Sequence, residues 1–241
     1  MYTQEQIFQR FILCKGADAL KAMQGATVIQ LGVGAVGGFC CEILARCGLG
    51  QIILVDFDTV DISNVNRQIV ATTKTVGQNK TEIMKNRVLE INPEIKVTEI
   101  KEKVDGKRVA ELIELYKPTV ICDCIDMFVQ KCEIIKVCLD LNVSLVSSMG
   151  AARKTDPGMI KIVKLNEVNT CPLAKRIKKT LEIDPTKEIK NIKCILSSEK
   201  AMPHPKDEEG NRLSLPSFSV ITTVFGVWVA HATIQRIVTG W

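Results

Sequence analysis

The first 150 residues alternate short β-branched runs with longer stretches of helical period. The apolar runs lie at 26–31, 51–56, 95–100, 119–124 and 144–148, with amphipathic segments at 36–47, 80–91, 107–116 and 129–141 between them. Strands that are apolar on both faces, each followed by such a segment, predict a parallel sheet covered by helices on both sides. Asn92-Pro93 and Lys117-Pro118 mark helix ends, because proline forces the residue before it out of the α region.

After Gly150 the pattern changes. Asp156-Pro157-Gly158 is a turn signal, residues 159–165 and 192–196 read as strands, and 171–181 as a short basic helix. Residues 204–211 are polar and proline-flanked, and a mobile loop is expected there; 215–218 leads into a C-terminal helix. The second half is expected to extend the sheet rather than fold alone. The expected fold class is therefore α/β, one domain over 1–241, with a doubly wound, mainly parallel sheet extended by antiparallel strands after residue 150. Residues 218–238 resemble a membrane span, but their unbroken weakly polar stretch covers only 220–230, ahead of His231, Gln235 and Arg236. A spanning helix needs about 20 apolar residues, so a buried or subunit-interface helix and no membrane contact are expected.

Composition narrows the classes further. At 46% hydrophobic and 24% charged, the chain is neither disordered nor fibrous. A net charge of +5 permits a polyanionic partner without requiring one. Ten cysteines in 241 residues are too sparse for a disulfide scaffold, and the first residues carry no apolar leader. Reduced thiols and a cytoplasmic location are expected.

Gly32-Val-Gly34-Ala-Val-Gly37 directly follows the first strand and opens a helix. The first glycine permits the tight turn, the second lets backbone N–H groups approach a phosphate or ribose, and the third allows close helix–strand packing. Asp56 follows at the end of the second strand, where a carboxylate can bond ribose hydroxyls. Strand, loop, helix, strand and acid in this order predict a Rossmann-like nucleotide site in residues 1–150. Asp58, Asn66, Arg67 and Gln68 come straight after the second strand, Lys80 starts the next helix, and Asp126 is expected to end the fourth strand. In a doubly wound sheet all of these face the ligand crevice. Arg67 and Lys80 suit a triphosphate and Asp126 suits Mg²⁺, so ATP with Mg²⁺ is expected rather than a nicotinamide dinucleotide.

DFDTVDISNVNRQ, the glycine loop, Lys80 and Ile91-Asn92-Pro93 resemble the adenylation domain of ThiF, MoeB and ubiquitin-activating enzymes. The resemblance implies that a substrate carboxylate attacks the α-phosphate of ATP. By it, Asp56 holds the ribose, Asn66, Arg67, Gln68 and Lys80 contact the triphosphate, and Asp126 binds the magnesium. Phe8-Gln-Arg10 with Gly16 is similar to a family motif whose arginine reaches the partner subunit's ATP, implying a homodimer with Arg10 acting in trans. The role set also suits the chemistry, in which positioning and fixed positive charge do most of the catalysis. His204 and His231 are the only histidines, and no Ser-His-Asp arrangement is on offer.

The cysteine spacing contains no C-x-x-C, so no structural zinc is expected. Cys171 and Cys194 fall where some activating enzymes carry an acyl-acceptor thiol, but neither has a nearby histidine to activate it. Ser147 to Pro157, Cys171-Pro-Leu-Ala-Lys-Arg176 and Ile195-Leu-Ser-Ser-Glu-Lys200 resemble the tRNA threonylcarbamoyladenosine dehydratase branch of the family. That branch implies activation of the threonyl carboxylate and ring closure by the carbamoyl nitrogen, with net loss of water. An intramolecular nucleophile needs no catalytic thiol. Residues 171–193 hold seven cations against three acids, a net of +4. Lys175, Arg176, Lys178 and Lys179, with Arg153, are the candidate tRNA contacts, although most charge runs are solvated helix faces. Two other readings stay open: an adenylating activator of a ubiquitin-like or sulfur-carrier protein C-terminus, and a nucleotide-binding scaffold without turnover. Whether a monovalent cation or a sulfur-relay protein takes part is not legible.

Overall fold

The computed structural model describes residues 2–168 and 171–241. Strands β1 (Thr27–Leu31), β2 (Gln51–Val55), β3 (Lys96–Ile100), β4 (Val120–Asp123), β5 (Leu145–Ser148), β6 (Ile160–Lys164) and β7 (Ile192–Ser197) form one sheet in the order β3-β2-β1-β4-β5-β7-β6. Every neighbouring pair is parallel except β6 with β7. The second half therefore adds one antiparallel strand, at the edge. β7 instead runs parallel to β5, placing Leu145 opposite Ile192 and Ser147 opposite Cys194.

Successive strand residues point into opposite cores. Val28, Ile52, Leu54, Val120 and Val146 lie in one buried cluster, whereas Ile29, Ile53, Val55, Ile121 and Leu145 lie in the other. That two-sided burial is why the strands read as continuous apolar runs. The first cluster is covered by α3 (Ala17–Gln24), α4 (Gly37–Arg46), α5 (Lys80–Ile91) and α9 (Ser219–Thr239). The second is covered by α6 (Gly106–Tyr116), α7 (Phe128–Asp140) and α8 (Pro172–Thr180).

Local chemistry marks the helix ends. The Asp105 carboxylate accepts from the Arg108 N–H at 2.8 Å at the start of α6, a cap worth about 1 kcal/mol. Lys117 closes α6 in the left-handed region, φ 44°, directly before Pro118. The N-terminal segment, read from sequence only as amphipathic, forms α1 (Gln4–Ile7), α2 (Gln9–Lys15) and α3, with Gly16 at φ 89° turning the chain between the last two.

Helix α9 is the one helix among the described residues long and apolar enough to cross a membrane. Here Ile221, Phe225, Val229, Ala230 and Ala232 are buried against the sheet. A Cβ at Gly226 would stand 2.5 Å from the Val36 carbonyl oxygen, so α9 rests directly on the start of α4. Residues 204–211, expected to be a mobile loop, form a tight turn. The Asp207 carboxylate accepts from the Glu209 and Asn211 N–H groups, and Lys206 bridges Arg212.

Candidate nucleotide site

In the order β2-β1-β4, the helices following β1 and β4 cover opposite faces of the sheet. That reversal opens a crevice at the strands' carboxyl ends, the general ligand position in such sheets. The glycine loop enters it as β1 ends. Gly32 has φ 83°, and a Cβ there would meet the Cys124 carbonyl oxygen at 3.0 Å. A Cβ at Gly37 would lie 1.9 Å from the Gly32 carbonyl oxygen, so the third glycine lets the loop close on itself rather than only packing helix on strand. At Gly34 the nearest atom to an added Cβ is the Gln68 side-chain amide, at 3.8 Å. Nothing within the chain demands a glycine there, as expected where a ligand approaches the backbone.

Asp56 is clamped beside this loop. Its Oδ2 accepts the Val33 N–H at 2.7 Å and its Oδ1 the Asp58 N–H at 2.9 Å. Burial pushes its carboxyl above the usual range, and the two backbone donors and Lys80 pull against that shift. Both oxygens keep further lone pairs for ribose hydroxyls. The chain then folds back on itself, with Thr59 bridged to Asn79. This brings the buried Lys80 ammonium at the head of α5 to 2.8 Å from Asp58 Oδ2.

Arg67 Nη1 donates to the Ser63 carbonyl at 2.6 Å and to Asn66 Oδ1 at 2.8 Å. Asn66 in turn donates to the Ser217 carbonyl at 3.1 Å, tying this loop to the segment that enters α9. Gln68 is buried, and its Oε1 has no hydrogen-bond partner among the described residues.

Asp126 does not end the fourth strand. β4 stops at Asp123, whose Oδ1 accepts the Ile125 N–H at 3.1 Å and so turns the chain out of the sheet. Asp126 follows on the loop into α7, exposed and without an ion-pair partner among the described residues. Arg10 is exposed on α2.

The basic segment divides. Lys175 and Lys179 are exposed on α8, and Arg176 lies with its guanidinium 3.8 Å over the Phe128 ring. Lys178 is turned inward, donating to the Asn166 and Val168 carbonyls at 2.6 and 3.0 Å. Arg153, in the left-handed region at φ 60°, donates to the Met202 carbonyl at 3.1 Å. The Glu199 carboxylate accepts from the Thr155 and Asp156 N–H groups at 3.0 Å, and these donors hold it below its ordinary pKa.

All ten cysteines are free. Cys171 and Cys194 are both buried, and burial pushes the Cys194 thiol up to about 12. No group of three or more His, Cys, Asp or Glu side chains among the described residues could hold a metal ion.

Sequence reasoning missed three participants. Gln30 is buried in β1 and donates to the Gly32 carbonyl at 3.0 Å, bracing the glycine loop. A lone amide in an apolar run was the available signal. Phe128, beneath Arg176, gave none. Nor did the fully buried Asp123–Lys131–Ser147 group, because its members come from separate elements.

Sheet order, glycine loop and the cations at the crevice define a doubly wound nucleotide-binding domain of the adenylating type. The chain belongs to the ThiF family, which it matches over residues 4–240. It is 40% identical over 192 residues to tRNA threonylcarbamoyladenosine dehydratase of Bacillus subtilis, covering 80% of this chain and 74% of that protein. It is 34% identical over 198 residues to the Escherichia coli enzyme of the same description, covering 80% and 73%. The crystal structure of the E. coli dehydratase in complex with ATP superposes with a TM-score of 0.87 at 29% identity, over 98% of this chain and 95% of that one.

Proposed function

We propose that this chain is an ATP-dependent tRNA threonylcarbamoyladenosine dehydratase. The observation that carries the reading is the joint match to that enzyme, in sequence over 80% of the chain and in fold over 98% of it. The threonyl carboxylate attacks the α-phosphorus of ATP and pyrophosphate leaves. The carbamoyl group of the same nucleoside then closes on the activated carbonyl and expels AMP, so the nucleoside loses one water. Asp56 holds the ribose, and the Gly32–Gly37 loop offers its backbone to the phosphates. Asn66, Arg67, Gln68 and Lys80 meet the triphosphate, and the Gln68 side-chain Nε2, the donor such a contact needs, lies beside Gly34. Fixed positive charge there stabilises the α-phosphate oxygens and departing pyrophosphate.

Asp126 fits Mg²⁺ arriving with the nucleotide. That ion takes one or two carboxylates and completes its shell with phosphate oxygens and water, and Asp126 is an exposed carboxylate on the loop after β4. When bound, the ion neutralises charge on the phosphates. The working unit is a homodimer in which Arg10, exposed on α2, reaches the partner subunit's nucleotide. Two buried candidate thiols favour this reading over a carrier-protein activator that passes an acyl group to cysteine.

Lys175, Arg176 and Lys179 form the tRNA face, and the Arg176–Phe128 stack adds a planar surface next to the Asp126 loop. Planar guanidinium and aromatic faces are what unstacked bases pack on. Replacing these three cations by alanine is expected to weaken tRNA binding and to flatten the slope of log K against log salt by roughly two to three counterions. Filter binding across a salt series checks this, and an unchanged slope would move the tRNA elsewhere.

The function itself is tested by nucleoside mass spectrometry on tRNA carrying threonylcarbamoyladenosine, incubated with the protein, Mg²⁺ and ATP. The expected result is ATP-dependent loss of one water from that nucleoside. No change, on tRNA that a control enzyme converts, would redirect the search to a carrier-protein C-terminus.

A further inference from the structure

Lys131 and Asp123 form the one ion pair among the described residues that is fully withdrawn from solvent at both ends. Burying two charges costs several kcal/mol per ion, and well-packed apolar side chains usually serve stability as well or better. The pair makes no contact that the proposed chemistry uses, so its retention points to its position. Asp123 is the last residue of β4, Ser147 is its register partner on β5, and Lys131 lies in the first turn of α7.

Two donors converge on one oxygen of this carboxylate. Lys131 Nζ and Ser147 Oγ both reach Asp123 Oδ2 at 2.6 Å, and Lys131 also reaches Ser147 Oγ at 3.2 Å. That arrangement fixes the carboxylate plane and turns Oδ1 toward the Ile125 N–H. Ile125 precedes Asp126 by one residue and Lys131 follows it by five. The loop bearing Asp126 is thus fastened at its start and at its end to the same buried side chain.

We infer that Asp123, Lys131 and Ser147 are positioning residues that set where Asp126 presents its carboxylate to magnesium-bound ATP. The inference rests on the reading of Asp126 given above. The group acts through the loop's direction, so an uncharged acceptor at position 123 suffices, whereas an apolar one does not.

The test compares calorimetric affinity for ATP with and without Mg²⁺ in four proteins: wild type, Asp123→Leu/Lys131→Met, Asp123→Asn/Lys131→Met and Ser147→Ala. Thermal unfolding is measured in parallel. The leucine–methionine variant is expected to unfold at or above the wild-type midpoint. It should lose about tenfold of the Mg²⁺-dependent gain in affinity, the scale of losing support around a metal ligand, with metal-free ATP affinity unchanged. The asparagine–methionine variant keeps an acceptor for Ile125 and is expected to restore the gain. Ser147→Ala strands no charge and is expected to lose about a third of it on a logarithmic scale, which keeps the test open if a double variant fails to fold.

A folded leucine–methionine variant with the full gain would overturn the inference. So would an asparagine–methionine variant as impaired as its leucine counterpart, because charge and not loop direction would then matter. Asp126→Ala is the benchmark. If it loses the gain while the leucine–methionine protein keeps it, the positioning role alone fails. If it keeps the gain, the metal assignment fails and takes the positioning role with it.

Discussion

Replacing Lys80 by alanine is expected to cut kcat/KM by roughly a hundred- to a thousandfold, the usual loss when one preorganised charge is removed from a transition state. The folded state should survive. Lys80 is 5% exposed, so its stem is held at the head of α5 and its ammonium is aimed at the crevice. Its partner Asp58 is 46% exposed and is solvated readily once the lysine is gone, so no buried charge is stranded. Chemistry and stability therefore separate at this position. Nucleoside mass-spectrometric time courses report the first and thermal unfolding the second. Lys80→Arg is expected to rescue poorly, because a planar fork does not fill the slot of a point charge. A wild-type rate in Lys80→Ala would remove the triphosphate assignment.

The second large effect is on stability. Lys131→Met leaves the Asp123 carboxylate buried with only the Ser147 hydroxyl and the Ile125 N–H as donors. Removing one partner of a buried pair typically costs about 3–5 kcal/mol. For a domain of this size that corresponds to a fall in unfolding midpoint of roughly 6–20 °C. The double replacement Asp123→Leu/Lys131→Met should recover all of it, since no charge is then stranded. Scanning calorimetry of the single and double variants decides the matter. A single variant as stable as wild type would overturn the assignment of Lys131 as a partner that the buried carboxylate requires.

Lys131 also shows where reading a sequence stops. In the run 129–141 a lysine between Gln130 and Cys132 is not distinguished by spacing from one on a helix's solvated face. It is fully buried because Asp123 and Ser147 arrive from β4 and β5, and nothing in the spacing announces that meeting. The parallel order of β1 to β5 was legible because each strand is followed by its own amphipathic helix. β7 was harder: its partner β5 lies more than forty residues earlier, and its direction depends on the path taken through α8. The glycine loop, Asp56, Asp58 and Lys80 were legible because residues 32–80 carry them in chain order. In the structure Asp56 accepts the Val33 N–H and Asp58 pairs with Lys80. The basic segment was legible as charge but not as geometry. Net charge does not distinguish Lys178, which bonds two carbonyls of its own chain, from Lys175, which faces outward.

Helix α9 has a consequence for how the molecule is made. It follows in sequence every strand that it covers, β4 to β7, and presses Gly226 against the root of the glycine loop. Until residues 217–239 clear the ribosome, the β4–β7 part of that face lacks its cover, and the nucleotide crevice lacks the anchor that Ser217 gives Asn66. The site therefore takes shape only after residues 217–239 have been made. During that interval Val120, Cys122 and Val146, which α9 helps to bury, stay open to water.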